Sequence, residues 1–387
     1  MKQLVIGLAL GMLLLLPVPL QAAEEPAFSW QDAVENIDLE VMEEYKNHID
    51  AEINSYMETK PVKEWLGDFI KGDWEFSFEE LTQNMVQFFL KEIVVNSSLL
   101  GRLLILSVLS ALLVNLQNAF STGVARISQL VCFMALAAIA LGSFRLVLET
   151  GQNTIDQMVS FMMGMLPQML VLVAGLGNVH TAATLFPVLM TTCTAFANAM
   201  QNIVFPLIIL SAILSLVNHL SEGLKVERMA KFFGQMAQLS LAFFLTLFVG
   251  ILTLRAVYSS VMDKLALRTT KFVTDNAIPV VGKMFSDTIE VAAGYVVMIK
   301  QAIGIFGVII ILGIVLFPLI KVGTIALIYK IAAAVAEPLG DSRTAAILDT
   351  MSAHLFLMLA AIAAVGLMFF IMIAIVAGMS NHLAALP

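Results

Sequence analysis

Arg102, Arg145, Glu337, Asp341 and Asp349 are ionisable residues within or beside long apolar runs of this chain. A charge is costly in hydrocarbon, so such groups face a wet cavity or a partner, or reach from a span end to the interface. Arg102 and Arg145 lie near span ends and fit that last role. A second set lies in residues 255–300. There Arg268, Lys271 and Asp287 alternate with small and apolar residues, and Pro279 and Gly282 mark a sharp break. This stretch reads either as the lining of something wet or as an interfacial helix pair. Residues for other chemistries are missing or badly spaced. The chain has no GxxxxGK[ST] phosphate loop, no HExxH and no GxSxG. His48, His180, His219, His354 and His382 are scattered, with no pair at metal-ligand spacing. His354 could act as the base of a membrane protease, but no serine stands in a nucleophile motif. The 23 methionines, Met158, Met162, Met163, Met165 and Met169 among them, read as adaptable packing. Cys132 and Cys193 are too few for a disulfide framework or a multi-cysteine metal site. No catalytic residue, metal or cofactor is expected.

The elements that must hold these residues follow from composition. Of the 387 residues 59% are hydrophobic and 13% charged, against about 25% charged in an ordinary soluble domain. Disorder is excluded, and an ordinary soluble enzyme is disfavoured. The formal charge of −8 is unevenly placed: residues 24–80 hold 17 acidic and four basic residues, a net of −13, and the remainder is net +5. Lys2, the apolar run Leu4–Leu16, Pro17, Pro19 and the small residues Ala22 and Ala23 form a signal-peptide pattern over 1–23; a retained anchor helix is the alternative. In the acidic segment 24–96, Val34, Ile37, Val41, Met42, Tyr45, Ile49, Ile53 and Tyr56 recur every three or four residues, one face of a helix. Pro61 stops it. Trp65, Phe69, Trp74, Phe76 and Phe78 then make an aromatic patch. These faces either pack on themselves or dock on a partner.

Residues 97–387 read as a multi-span membrane domain. Apolar runs long enough to span cover 99–120, 130–148, 158–176, 182–200, 203–217, 235–254, 302–320, 322–336 and 355–378. Pro167, Pro187, Pro206 and Pro318 fall inside them as candidate helix breaks, and broken helices in lipid point to a transport path or a re-entrant hairpin. Two basic stretches, 222–231 and 255–300, are separated by one apparent span, so they cannot both obey the positive-inside rule as ordinary loops. The expected fold is therefore all-α, a polytopic membrane protein with about seven to nine hydrophobic segments, some Pro-broken or re-entrant, after a signal peptide and a small acidic helical segment.

Particular residues also resemble a known family. Ala266–Leu267–Arg268–Thr269–Thr270–Lys271–Phe272, Ile278–Pro279–Val280–Val281–Gly282 and Ser286–Asp287 are similar to the stage III sporulation protein AE family, as are Glu337–Pro338–Leu339–Gly340–Asp341–Ser342 and, more loosely, Ile328–Ala334 and Val365–Phe370. The likeness runs in order over residues 80 to 381. It implies a multi-pass component of the mother-cell membrane that engulfs the forespore in endospore-forming bacteria. It implies partners: ring-forming subunits, a secretion-type ATPase, a forespore membrane protein, the lipid bilayer and possible further copies of the chain, with no nucleic acid. The implied role is a channel- or permease-like part of a conduit needed for late forespore development. A stand-alone secondary transporter and a non-conducting scaffold are the alternatives. The family-motif residues Arg268, Lys271, Pro279, Gly282, Asp287, Glu337, Gly340 and Asp341 are the candidate path-lining positions.

Overall fold

The computed structural model describes residues 38–53, 60–74, 78–120, 123–176, 179–220, 225–277 and 282–378. The signal-peptide pattern lies outside the described residues. Among the described residues all regular structure is helical: α1 (Glu40–Ile53), α2 (Val62–Lys71), α3 (Phe78–Val95), α4 (Ser97–Phe120), α5 (Gly123–Gly175), α6 (Val179–Ala199), a π-helical turn (Met200–Val204), α7 (Phe205–Leu220), α8 (Glu227–Ala277), α9 (Gly282–Ala336) and α10 (Ser342–Gly378).

Among the described residues six helical stretches are long and apolar enough to cross a membrane: Ser97–Leu116, Leu130–Gly175, Ala182–His219, Glu227–Arg255, Gly294–Ala336 and Ser342–Gly378. The all-α polytopic expectation holds. The number of crossing elements is smaller than the number of apolar runs because three pairs of runs join. Residues 130–148 and 158–176 form the single helix α5, which continues through Pro167. Residues 302–320 and 322–336 share α9, which continues through Pro318. Residues 182–200 and 203–217 are joined by the π turn, and α6 continues through Pro187. A proline ring clashes with the carbonyl one turn earlier and removes one ladder bond. Inside a packed bundle, neighbouring groups and local widening absorb that loss, and the π turn stands directly before Pro206. The 46-residue stretch in α5 is about 69 Å long at 1.5 Å per residue, more than twice a hydrocarbon core of about 30 Å. Part of it therefore projects beyond the hydrocarbon.

The core is built on an antiparallel pair, α9 and α10. Its seam carries small residues that let the backbones approach, as membrane helices require in the absence of a hydrophobic drive between them. A Cβ added to Gly366 would stand 2.8 Å from Val315 Cγ1, and one added to Gly304 would stand 2.5 Å from Ala377 Cβ. Ser352 donates to the Ala326 carbonyl at 2.8 Å, fixing the register. Helix α5 runs along this pair, tied by the Tyr329 hydroxyl donating to Ser143 Oγ at 2.9 Å. Helices α7 and α8 pack on each other and on α10, and α4 packs on α5 and α9.

Among its described residues the acidic segment joins α1 to α2 and packs both on the membrane part. Its amphipathic face lies on the membrane helices of the same chain. Val41 of α1 sits against Gly164 of α5, where an added Cβ would come within 2.7 Å of both Val41 methyls. Tyr45 meets Phe161 edge-on at 5.4 Å, and Trp65 of α2 stacks on Phe306 of α9 at 5.3 Å. The Glu43 carboxylate accepts the first free amide of α2, at Val62, at 2.7 Å. Buried Lys46 pairs with Asp50 at 3.4 Å and lies 5.2 Å above the Trp65 ring. Burial raises the Tyr45 phenol above its ordinary range, partly offset by a hydrogen bond with Ser160. Packing against α5 and α9 thus covers the described part of those faces, Val41, Tyr45, Trp65 and Phe69 among them.

Candidate functional site

A partly open cavity of about 560 Å³ with a polar lining lies between α7, α8 and α10. That volume falls within the usual range for small-molecule sites, roughly 300–1,000 Å³. Each helix contributes polar residues at helical spacing. Ser211, Ser215, Asn218 and His219 come from one side of α7, Glu227, Lys231, Gln235 and Gln238 from α8, and Thr350 and His354 from α10. Steps of three and four along three packed helices bring these side chains to one chamber.

Ser211 stands at the junction of the three helices. Its hydroxyl is 2.7 Å from the Ala230 carbonyl and 2.9 Å from His354 Nε2. Gly234 allows this approach: a Cβ there would stand 3.0 Å from Ser211 Oγ. His354 Nδ1 lies 2.7 Å from the Thr350 carbonyl, one turn back on its own helix. His219 Nδ1 likewise donates to the Ser215 carbonyl at 2.7 Å. Glu227 and Lys231 are exposed and paired with each other one turn apart, at 2.5 Å. The chamber therefore offers many neutral donors and acceptors and one compensated charge pair.

A serine and a histidine within hydrogen-bond reach can form a nucleophile–base pair. Here the geometry favours proton holding over attack. Ser211 is only 1% exposed, and it sits inside α7, where its own amide is committed to the helix ladder. Its hydroxyl is also shared with a backbone carbonyl.

The residues singled out from sequence fall elsewhere. Glu337, Gly340 and Asp341 form the turn between α9 and α10. Gly340 has φ +90°, a conformation that favours glycine, and its amide donates to the Glu337 carbonyl at 3.1 Å. Asp341, 2% exposed, caps α10 through the Thr344 amide at 3.0 Å and accepts a hydrogen bond from Ser110 of α4. Arg343 donates to the His219 carbonyl at 2.8 Å and lies 5.0 Å over the Phe133 ring. The turn thus ties α4, α5, α7 and α10 together, and none of its residues lines the cavity. Arg145 pairs with Glu149 at 2.8 Å on the exposed side of α5, Asp349 pairs with Lys330, and Arg102 is exposed. Arg268 and Lys271 fall on the backbone of α8, and Gly282 and Asp287 on that of α9; their side chains, and Pro279, lie outside the described residues. Of the two basic stretches, the described residues 225–231 and 255–277 stand at opposite ends of the crossing part of α8, and 255–277 continue that helix without a break. Sequence reasoning missed the Ser211–His354 pair because its members are 143 residues apart and share no motif. The available signal was the series Ser211, Ser215, Asn218 on one face of an otherwise apolar helix.

Fold and cavity together define a class: a multi-pass helical membrane protein whose crossing helices wall a polar chamber. Residues 61–380 match the family model described as Stage III sporulation protein AE (spore_III_AE), and the chain belongs to that family. It is 37% identical over 317 residues to the "Stage III sporulation protein AE" of Bacillus subtilis (strain 168), a match covering 82% of this chain and 79% of that protein. No solved structure matches.

Proposed function

We propose that this chain is the channel- or permease-like membrane component of a sporulation-specific conduit between mother cell and forespore, needed for late forespore development. On this reading it sits in the mother-cell membrane that engulfs the forespore, with its N-terminal acidic segment on the extracytoplasmic side. It acts beside ring-forming subunits, a secretion-type ATPase and a forespore membrane partner, and it catalyses no reaction itself. Family membership supports the setting. The observation that carries the conducting role is the polar, partly open cavity walled by the apolar helices α7, α8 and α10. A lipid-buried scaffold has no need of such a chamber, because each polar group moved from water into an apolar site costs free energy unless it is paired.

The test is to fill the chamber. Asn218→Leu together with Gln238→Leu removes two of its amides and narrows it, in sporulating cells that carry a late forespore reporter. The expected result is loss of reporter activity and of heat-resistant spores, while the chain still co-purifies with its partners. Normal sporulation with the chamber filled would overturn the reading. Loss of co-purification would point to a scaffold, and solute flux into liposomes holding this chain alone would point to a stand-alone transporter.

A further inference from the structure

Three polar contacts meet at the wall of the chamber, and each needs one proton. They are Thr350 carbonyl to His354 Nδ1 at 2.7 Å, His354 Nε2 to Ser211 Oγ at 2.9 Å, and Ser211 Oγ to Ala230 carbonyl at 2.7 Å. Carbonyl oxygens only accept. The serine brings one O–H and a neutral imidazole one N–H, so two protons serve three contacts. An imidazolium brings two N–H groups, and the count then closes. With neutral His354, one contact always sets two lone pairs face to face. If Nδ1 carries the proton, Ser211 must choose between His354 Nε2 and the Ala230 carbonyl. If Nε2 carries it, bare Nδ1 faces the Thr350 carbonyl.

We propose that His354 is a proton-binding site of this chain, and that the proton it takes completes a hydrogen-bond chain from Thr350 through His354 and Ser211 to Ala230, clasping α10, α7 and α8 together at the chamber wall. In this arrangement Ser211 is the positioning residue and His354 the proton carrier. Release of the Nε2 proton leaves Nδ1–H on the Thr350 carbonyl and frees Ser211 from one neighbour, so that either the α7–α8 or the α7–α10 seam loses its polar tie. Histidine is suited to this, because its ordinary titration falls between pH 5 and 8.

The charged groups around the cavity are engaged with partners of their own. From α8 the chamber receives Glu227 and Lys231, which are paired with each other. From α7 it receives His219, whose Nδ1 is spent on the Ser215 carbonyl. On α10, Arg343 is engaged with the His219 carbonyl, and Asp349 is paired with Lys330 of α9. On α5, Arg145 and Glu149 are paired and exposed. Among the described residues the partners of His354 are Ser211 Oγ and the Thr350 carbonyl, and neither is a carboxylate. The proposal does not rest on the conduit reading, since it requires no flux.

The test uses the full chain in phosphatidylcholine nanodiscs. Replacing His48, His180, His219 and His382 by Gln leaves His354 as the sole histidine, and ring nitrogen NMR then reports its protonation directly. The expected result is conversion of the ring between one and two N–H groups within pH 5 to 8. Spin labels at exposed Met229 of α8 and Ile213 of α7 report the seam, with a distance distribution that narrows at the same midpoint. His354→Gln should abolish that pH dependence. Ser211→Ala should leave the ring titrating while the seam no longer follows, and Ser211→Cys gives the same readout if the alanine variant does not fold. A ring that keeps one protonation state from pH 5 to 8 would overturn the proposal. So would a seam that follows pH equally well without His354.

Discussion

Removing the Asp341 carboxylate separates a structural role for the α9–α10 turn from a path-lining one. Asp341 accepts the Thr344 amide at 3.0 Å, a helix cap whose removal costs about 0.5–2 kcal/mol. It also accepts the Ser110 hydroxyl, and a hydrogen bond to a charged group contributes about 1.5–3 kcal/mol. Ser110 has a second partner in Thr344 Oγ1 at 3.2 Å, so its loss falls at the low end. Asp341→Ala should therefore destabilise the fold by about 2–4 kcal/mol. Asp341→Asn keeps the cap through its amide oxygen. Its amide nitrogen donates to Ser110 Oγ, and the Ser110 proton turns to Thr344, so the cost should be about 1 kcal/mol or less. The assay is unfolding of detergent-purified protein by SDS titration, followed by helical circular dichroism. If Asp341 instead lined a path, the asparagine variant would keep full stability and still stop sporulation. Equal destabilisation by alanine and asparagine, or none by alanine, would refute the capping argument.

Two further outcomes are expected. Gly164→Leu should push Val41 away and release α1 and α2 from α5, seen as faster tryptic cleavage at Lys46 and Lys63; Gly101→Leu, where an added Cβ meets nothing within 4 Å, should leave the rate unchanged. Lys330→Ala should change stability by no more than about 0.5–1 kcal/mol in the same SDS titration, because its pairing with Asp349 is exposed on both sides; a larger loss would show that this pair carries part of the α9–α10 register.

Much of the architecture was legible along the chain, for local reasons. The apolar runs show membrane helices because crossing hydrocarbon demands about 20 uninterrupted apolar residues. The three- and four-residue spacing of Val41, Met42, Tyr45 and Ile49 shows one helix face because helical periodicity is local. The Pro338–Leu339–Gly340–Asp341 turn satisfies its positive φ and its cap within a few residues, yet along the chain its residues read as candidates for a path lining. Joining the runs was not legible. Whether Pro167 or Pro318 ends a helix depends on what packs around the freed carbonyl, and those groups come from other helices.

The sequence by itself determined the class of environment, the helical character and the family, since each depends on composition, short-range periodicity or residues in fixed order. It also showed an amphipathic acidic segment with an apolar face to bury. Only the tertiary structure decided what covers that face, namely Phe161 and Gly164 of α5 and Phe306 of α9. Only the tertiary structure placed Ser211 against His354 and gathered ten polar side chains into one chamber. The physical reason is the same in both cases. Hydrogen bonds and ring contacts act over a few ångströms in space, and a helix bundle brings within that range residues that the chain keeps more than a hundred positions apart.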